Sequence, residues 1–414
     1  MHRMPTTVLA ATLALAAPQA LALPDGPGRE TTVTVCSACH HIGLIERSIG
    51  YTRAQWDVFT AAMVDMSGTP ETKKEVLDYL AASFPPGHNP RPATVVAGPL
   101  ALAVEGWEVP TPGVRPRDPV EAPDGIIWWV GQWGNVLGQL NPETGEQTEW
   151  KLPAGAMPHS VTAAPDGALW YTGNKNATIG RFDPARGEIQ VFEMPDPAAK
   201  DPHTAEFDAE GRLWFTLQHA NMIGRLDQET GETELVTLPR AGSKPYGIKI
   251  AADGTVWGSC NGAACLLRID PTTMAVEEIP LPRAGSHARR LDIAPDGRVW
   301  WVNSGLGAIG VYDPETGAME EWDSPSGPTS HPYAIAWFDD AIWYNESGTR
   351  PDMLVRFDPA RETFQSWAIP SGRFNAGVLR HMRVSRDGEA LLLHQTASNR
   401  ILRLRVANRR AAAD

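Results

Sequence analysis

The chain has 414 residues, 42% of them hydrophobic and 21% charged, and a formal net charge of −13. That length is ample for one small and one large domain. The acidic balance, with no basic run apart from an Arg-rich tail, argues against nucleic acid or an anionic membrane surface as a partner.

His2 and Arg3 form a short polar head, Val8 to Ala17 an apolar run, and Ala20-Leu21-Ala22 a small-x-small exit. This predicts a signal peptide over residues 1–22, cleaved after Ala22. No other stretch is long and apolar enough to span a bilayer. The mature chain is therefore expected to be soluble and exported.

Just behind the signal, Cys36-Ser37-Ala38-Cys39-His40 spells C-x-x-C-H, the attachment signature of a c-type haem. Two thiols at that spacing can add across the vinyl groups of one porphyrin while the next imidazole reaches the iron. A zinc site would need two further ligands at matching spacing, and none follows nearby. The expected cofactor is haem c, held covalently by Cys36 and Cys39 with His40 on the iron.

Trp56, Phe59 and Met63 recur at helical spacing in a helix predicted from Thr52 to about Met66. A second helix should begin near Thr69, with Pro70 in its first turn. It should run through Val76, Leu77, Leu80 and Phe84 and stop at Pro85-Pro86-Gly87. The order of haem motif, helix and a final helix carrying Tyr79-Leu80 resembles a small all-α class I cytochrome c over residues 28–90. A periplasmic address follows from the likeness to bacterial periplasmic cytochromes. Trp56, Met63-Val64 and Gly68 are spaced as in small cytochromes fused to periplasmic enzymes, which implies Met63 as the sixth iron ligand. Met66 is the alternative, with His41 and His88 also open. Without the haem motif, a methionine on an apolar helical face reads as core packing.

Beyond a Pro-rich linker at 85–92 the sequence becomes periodic. Asp124-Gly125-Ile126-Ile127-Trp128 recurs with anchors at Trp170, Trp214, Trp257, Trp300 and Trp343 and a degraded copy at Leu391, spaced 42, 44, 43, 43, 43 and 48 residues apart. Each unit reads as four short strands, the mark of a propeller blade. A bulky residue three before a proline closes each unit, from Trp107/Pro110 to Trp367/Pro370. The first of these precedes the first full unit, and the last anchor is followed by chain for inner strands only. A seven-bladed β-propeller over 94–406 is therefore predicted, mainly β, with residues 95–109 supplying the outer strand of the last blade. Closure pairs both terminal strands, which an open solenoid would leave exposed. Cys260 and Cys265 flank a hairpin-like turn, and their expected state in an oxidising compartment is a disulfide, with two buried thiols as the alternative.

Pro245-Tyr246-Gly247-Ile248, Trp214-Phe215-Thr216 and Ile223-Gly224-Arg225 resemble the repeats of the virginiamycin B lyase family, also called streptogramin lyases. The family's mechanism uses a histidine from one blade, then an acid-Pro-His run and a later acid in the next. The two acids help to hold magnesium, and histidine moves the proton that opens a cyclic ester. The matching residues here are His159, then Asp201-Pro202-His203 and Gln218. This implies His159 and His203 as catalytic, with Asp201 and Gln218 as a weakened magnesium site, because Gln218 is neutral and Asp201 is short. The match also sits in blades two and three, whereas the family's site is in its last two blades.

All seven propeller histidines fall 10 to 13 residues before an anchor or 3 to 5 after it, in loops that emerge on one face. The predicted binding rim therefore comprises His219, His287, Arg289, His331, Tyr333, Glu346, His381 and His394 besides His159 and His203. Such a rim suits an oxyanion, a polar substrate or a transition metal such as copper. Each histidine alone could equally bond a neighbouring carbonyl. Three function classes stay open. One is a redox protein passing electrons between a rim-bound substrate, its haem and a partner protein; the others are a lyase with an accessory cytochrome and a non-catalytic binding propeller.

Overall fold

The computed structural model describes residues 23–37, 45, 50–61, 64, 66–88, 91–370 and 379–407. It divides into two compact units, one built largely from residues before His88 and the other from those after it.

Among its described residues the first unit has the helices α1 (Arg29–Ser37), α2 (Arg53–Ala61) and α3 (Pro70–Ser83). Helix α1 has no counterpart in the sequence reading and carries Cys36 in its last turn. Gly28, with φ +86°, opens it against α3: a Cβ there would lie 2.7 Å from the Glu75 carbonyl oxygen. Only glycine permits that approach and that backbone together. Helix α2 starts on a reciprocal cap, in which Gln55 Oε1 accepts the Thr52 amide at 2.9 Å and Thr52 Oγ1 accepts the Gln55 amide at 3.3 Å. The Val64 amide donates to the Thr60 carbonyl at 2.9 Å, carrying the turn on toward the expected end at Met66. Helix α3 begins at Pro70 as predicted, although Thr69 makes no side-chain cap bond. It buries Val76, Leu77, Tyr79 and Leu80, and the Trp56 indole donates to the Phe84 carbonyl at 3.3 Å. Cys39, His40, His41 and Met63 lie outside the described residues, as does the predicted signal 1–22. Among the described residues, no helix is long and apolar enough to cross a membrane.

The second unit is a ring of seven four-stranded antiparallel sheets. The strands that open the blades, from Pro116–Glu121 through Pro332–Phe338 to Met382–Val384, each touch the corresponding strand of the next blade, and the last touches the first. The ring closes as the sequence predicts, with Leu102–Glu108 paired to Arg400–Val406 as the outer strand of blade seven.

The repeat signatures are blade-packing devices. Trp128, Trp170, Trp300 and Trp343 stack on the bulky fourth-strand residues Trp150, Phe192, Trp322 and Trp367, with centroids 5.2 to 5.7 Å apart. Trp170, Trp214, Trp257 and Trp343 each pair across the sheet with an arginine. In blade seven it is Leu392, paired with Arg403, that fills the tryptophan position, one residue later than the spacing predicts. Cys260 and Cys265 are joined by a disulfide between the second and third strands of blade four, Cα atoms 5.4 Å apart.

The glycine of Ile-Gly-Arg has a specific cause. A Cβ on Gly224 would lie 2.3 Å from the Phe215 ring that covers it, and Gly180 and Gly310 are covered likewise by Tyr171 and Trp301. Gly224→Ala is therefore expected to cost about 1 to 3 kcal/mol by overpacking. Phe215→Leu in the same chain should restore part of it, measured as urea midpoints. An unchanged midpoint in Gly224→Ala would contradict this account.

Candidate functional site

Each blade's opening strand begins at the axis with a side chain at one equivalent position. Going round the ring these are Arg117, His159, His203, Tyr246, Arg289, Tyr333 and Arg380. Among the described residues, the one two earlier is left-handed in five blades: Arg115, Met157, Asp201, Lys244 and His331 have φ between 44° and 60°. A left-handed non-glycine costs roughly 1–2 kcal/mol. Its recurrence here, beside a register shift in blades one, three, four, five and six, turns the equivalent side chains toward a shared mouth.

At the mouth the His159 and His203 rings lie 3.5 Å apart, and Tyr246 is 4.2 Å beyond His203. The Tyr246 and Tyr333 hydroxyls are hydrogen-bonded to each other. The Arg289 guanidinium sits 4.4 Å over the Tyr333 ring and 5.4 Å over that of Tyr246. Arg117 donates to Gln132 at 2.9 Å, and Arg115 lies 4.6 Å over the ring of Trp133. His159 donates through Nδ1 to the His203 carbonyl at 3.1 Å, which leaves its Nε2 as an acceptor.

Burial first, then Arg117 and His203, hold His159 well below the usual imidazole range; burial, Arg290 and Arg117 do the same to His203. Both rings are neutral near pH 7. Burial would raise the Tyr333 phenol, but Arg289, Arg380, Arg117 and the bond from Tyr246 outweigh it and bring it to about 7. Tyr246, the other half of the pair, is raised by burial and by Tyr333. The arrangement thus offers one acidic phenol, neutral imidazole acceptors and a set of guanidiniums.

A second polar layer lies one residue further along the strands. Asp118, fully buried with φ 45°, has its carboxylate 3.5 Å from His381 Nδ1 and 3.9 Å from Arg290 Nη2, and its amide donates to His394 Nδ1 at 3.2 Å. A third layer holds Lys249 with Asp292 at 3.3 Å, and Arg383 with Thr162 at 3.3 Å and Glu206 at 3.9 Å.

Of the seven expected rim histidines, His159 and His203 meet at the mouth, while His381 and His394 belong to the layer beneath. His219 is exposed and bonded through Nδ1 to Asp201 at 2.6 Å, His287 is exposed, and His331 is tied to Ser347 at 3.0 Å. Those three lie off the axis because they precede or follow the axial position in their loops. Glu346 is corrected from rim ligand to buried brace: it accepts from Ser324 Oγ at 2.7 Å, the Ser326 amide at 2.9 Å and the Ser326 hydroxyl.

At the expected magnesium site, Asp201 is engaged by its neighbours. Both Asp201 oxygens are taken by the His219 and Ala220 amides and the His219 ring, and Gln218 brings no charge. Among the described residues no group of three His, Cys, Asp or Glu is placed to hold a metal ion.

The sequence reading missed Arg115, Arg117 and Asp118. The available signal was alignment of Arg115-Pro116-Arg117 with Met157-Pro158-His159, Asp201-Pro202-His203 and His331-Pro332-Tyr333.

A family model described as the virginiamycin B lyase family matches residues 100–202 and 200–351. Among solved structures, the chain is similar to virginiamycin B lyase from Staphylococcus aureus, with 23% identity and TM-score 0.67 over 74% of this chain and 100% of that one. A streptogramin B lyase gives 24% identity and TM-score 0.66 over 74% and 98%. Hydrazine synthase from Kuenenia stuttgartiensis gives 16% identity and TM-score 0.59 over 72% and 97%. The comparison with curated proteins gave no match. At these identities the solved structures establish the seven-bladed fold, while the family model spans more than half of the sequence. The chain therefore belongs to the virginiamycin B lyase family.

Proposed function

We propose that this chain is an exported, periplasmic c-type haem protein whose propeller binds a small polar substrate at its axial mouth and whose N-terminal unit exchanges electrons with a redox partner. The observation that carries the redox reading is Cys36-Ser37-Ala38-Cys39-His40 in the same chain as the propeller. Three observations among the described residues support this reading. Cys36 stands in the last turn of α1, the Met66 side chain is buried, and the buried His88 Nε2 has no hydrogen-bond partner among the described residues. His40 is the proposed proximal ligand and Met63 the distal one, with Met66 as its alternative. Bound haem supplies one-electron exchange.

The propeller residues supply binding and proton handling. Tyr333 and Tyr246 offer a hydroxyl pair to a polar group, Arg289 orients it, and the His159 Nε2 can accept a proton. This assignment is tested by producing the full chain with its signal in a host that attaches haem c. Wild type is expected to carry haem that survives denaturation, and Cys36→Ala/Cys39→Ala to carry none. Wild-type protein, exported and folded, without a Soret band would refute it.

A lyase reading is the second possibility, favoured by family membership and by the His159–His203 pair. A catalytically inactive histidine-to-alanine variant of the Staphylococcus aureus enzyme is known with Quinupristin. Because Asp201 is already engaged and Gln218 is neutral, incubation of this protein with Quinupristin and magnesium is expected to leave the ring closed. Ring opening that His203→Ala abolishes would establish the lyase instead.

A further inference from the structure

Five arginines, Arg115, Arg117, Arg289, Arg290 and Arg380, gather at the mouth and the layer beneath it. Among the described residues, the one carboxylate within 4.0 Å of any of them is Asp118, beside Arg290. Arg117 and Arg290 are only 3% and 2% exposed, so water does not screen them well. Several of their nitrogens are buried without a hydrogen-bond partner: Arg115 Nε, Arg117 Nε, Arg290 Nη2 and Arg380 Nη1. Buried donors are normally satisfied. Unmet guanidinium donors converging from three blades on a pair of hydroxyls describe a site built for something negative that brings oxygen acceptors.

We propose that the axial mouth binds a small oxyanion, of the carboxylate, sulfate or phosphate type, held by Arg289, Arg380, Arg115 and Arg117 and hydrogen-bonded by the Tyr246–Tyr333 pair. The inference rests on the mouth being the substrate site, and it names the substrate's chemical class. Guanidinium forks match two oxygens of such an anion in one plane, and the hydroxyl pair reaches another. Two features agree with it. Arg115 is pressed down to about 8 by burial, Arg380 and Arg117, a stress that an anion relieves while the guanidinium keeps its proton at neutral pH. His159 and His203, being neutral, leave the positive charge to the arginines, so the site does not vanish as imidazole titrates near pH 6.5.

The test is calorimetric titration of the purified full chain, haem included, with sulfate, inorganic phosphate and oxalate in turn, at constant ionic strength set with sodium chloride. Saturable binding of at least one, one per chain, is expected, with Arg289→Gln and Arg380→Gln each weakening it about tenfold or more. Arg186→Gln, in the exposed turn between the third and fourth strands of blade two, should bind as wild type. Arg115→Gln, beside Trp133, is the companion variant if the Arg289 and Arg380 variants fail to fold, and it should weaken binding in the same direction. The proposal is overturned if none of the three anions saturates at about 10 mM, or if folded arginine variants bind as wild type does. Absorbance on the same samples separates this from the haem reading: haem without anion binding sinks the inference alone, and anion binding without haem sinks the redox assignment alone.

Discussion

Asp118→Asn is expected to destabilise the propeller by about 3 kcal/mol, the scale of breaking a buried ion pair from one side. The side chain is fully buried, so the loss is not screened by solvent. Its carboxylate is the counter-charge to Arg290, which is also anchored by its Nε on the Arg380 carbonyl at 2.8 Å and so cannot swing out to water. Asparagine preserves volume, so no cavity contributes. Asp118→Asn/Arg290→Met removes both charges and should recover much of the loss, because the penalty lies in the orphaned cation. Urea unfolding of the three variants and wild type decides it, and a wild-type midpoint in Asp118→Asn would show that the pair is not load-sharing across the ring. The same variant should bind oxyanions more tightly, since it removes the negative charge nearest the mouth.

The second large effect is expected in pH dependence. Tyr333, held to about 7 by its arginines against an ordinary phenol near 10, should appear as one tyrosinate band near 295 nm between pH 6 and 8.5. Tyr333→Phe should abolish that band. Tyr246→Phe should move it to higher pH, because a bond favouring the charged form is lost. The stability sign follows from linkage: a phenol whose folded pKa is depressed binds fewer protons folded than unfolded between about 7 and 10. Its contribution is therefore absent below 7, grows as pH rises through that window, and is fully present above 10. Wild type should gain in urea midpoint from pH 6.5 to 9 relative to Tyr333→Phe. A saturating anion should raise the tyrosinate midpoint, since two negative charges compete for the same arginines. A band unaffected by Tyr333→Phe would place the acidic phenol elsewhere.

The blades were legible because one requirement repeats. In four blades a tryptophan stacks on the aromatic residue three before the proline, and the spacing of both survives in nearly every unit. Where packing tolerates a substitute, the register blurs, as at Leu392, one residue later than the spacing implies. The mouth was less legible. Histidine drew notice by type, but the ring is defined by position, and Arg117 occupies it, with Asp118 in the layer beneath, without being histidine. Glu346 shows the converse: a carboxylate at a suggestive distance from an anchor proves to satisfy two serines. Helix α1 escaped notice because Thr31, Thr32, Val33, Thr34 and Val35 favour strand by propensity, and the close approach at Gly28 against α3 overrides it.

The seam of blade seven sets an order of events. Glu105 pairs with Arg405, 300 residues later, so the circle cannot be completed until the last strand has been synthesised. Contacts that distant in sequence form slowly. Until then Leu102–Glu108 waits as an unpaired edge, and a chain cut short before Arg400 would leave both it and Leu391–Gln395 open to other molecules. Ring closure is thus a built-in check that only full-length chains become a finished propeller.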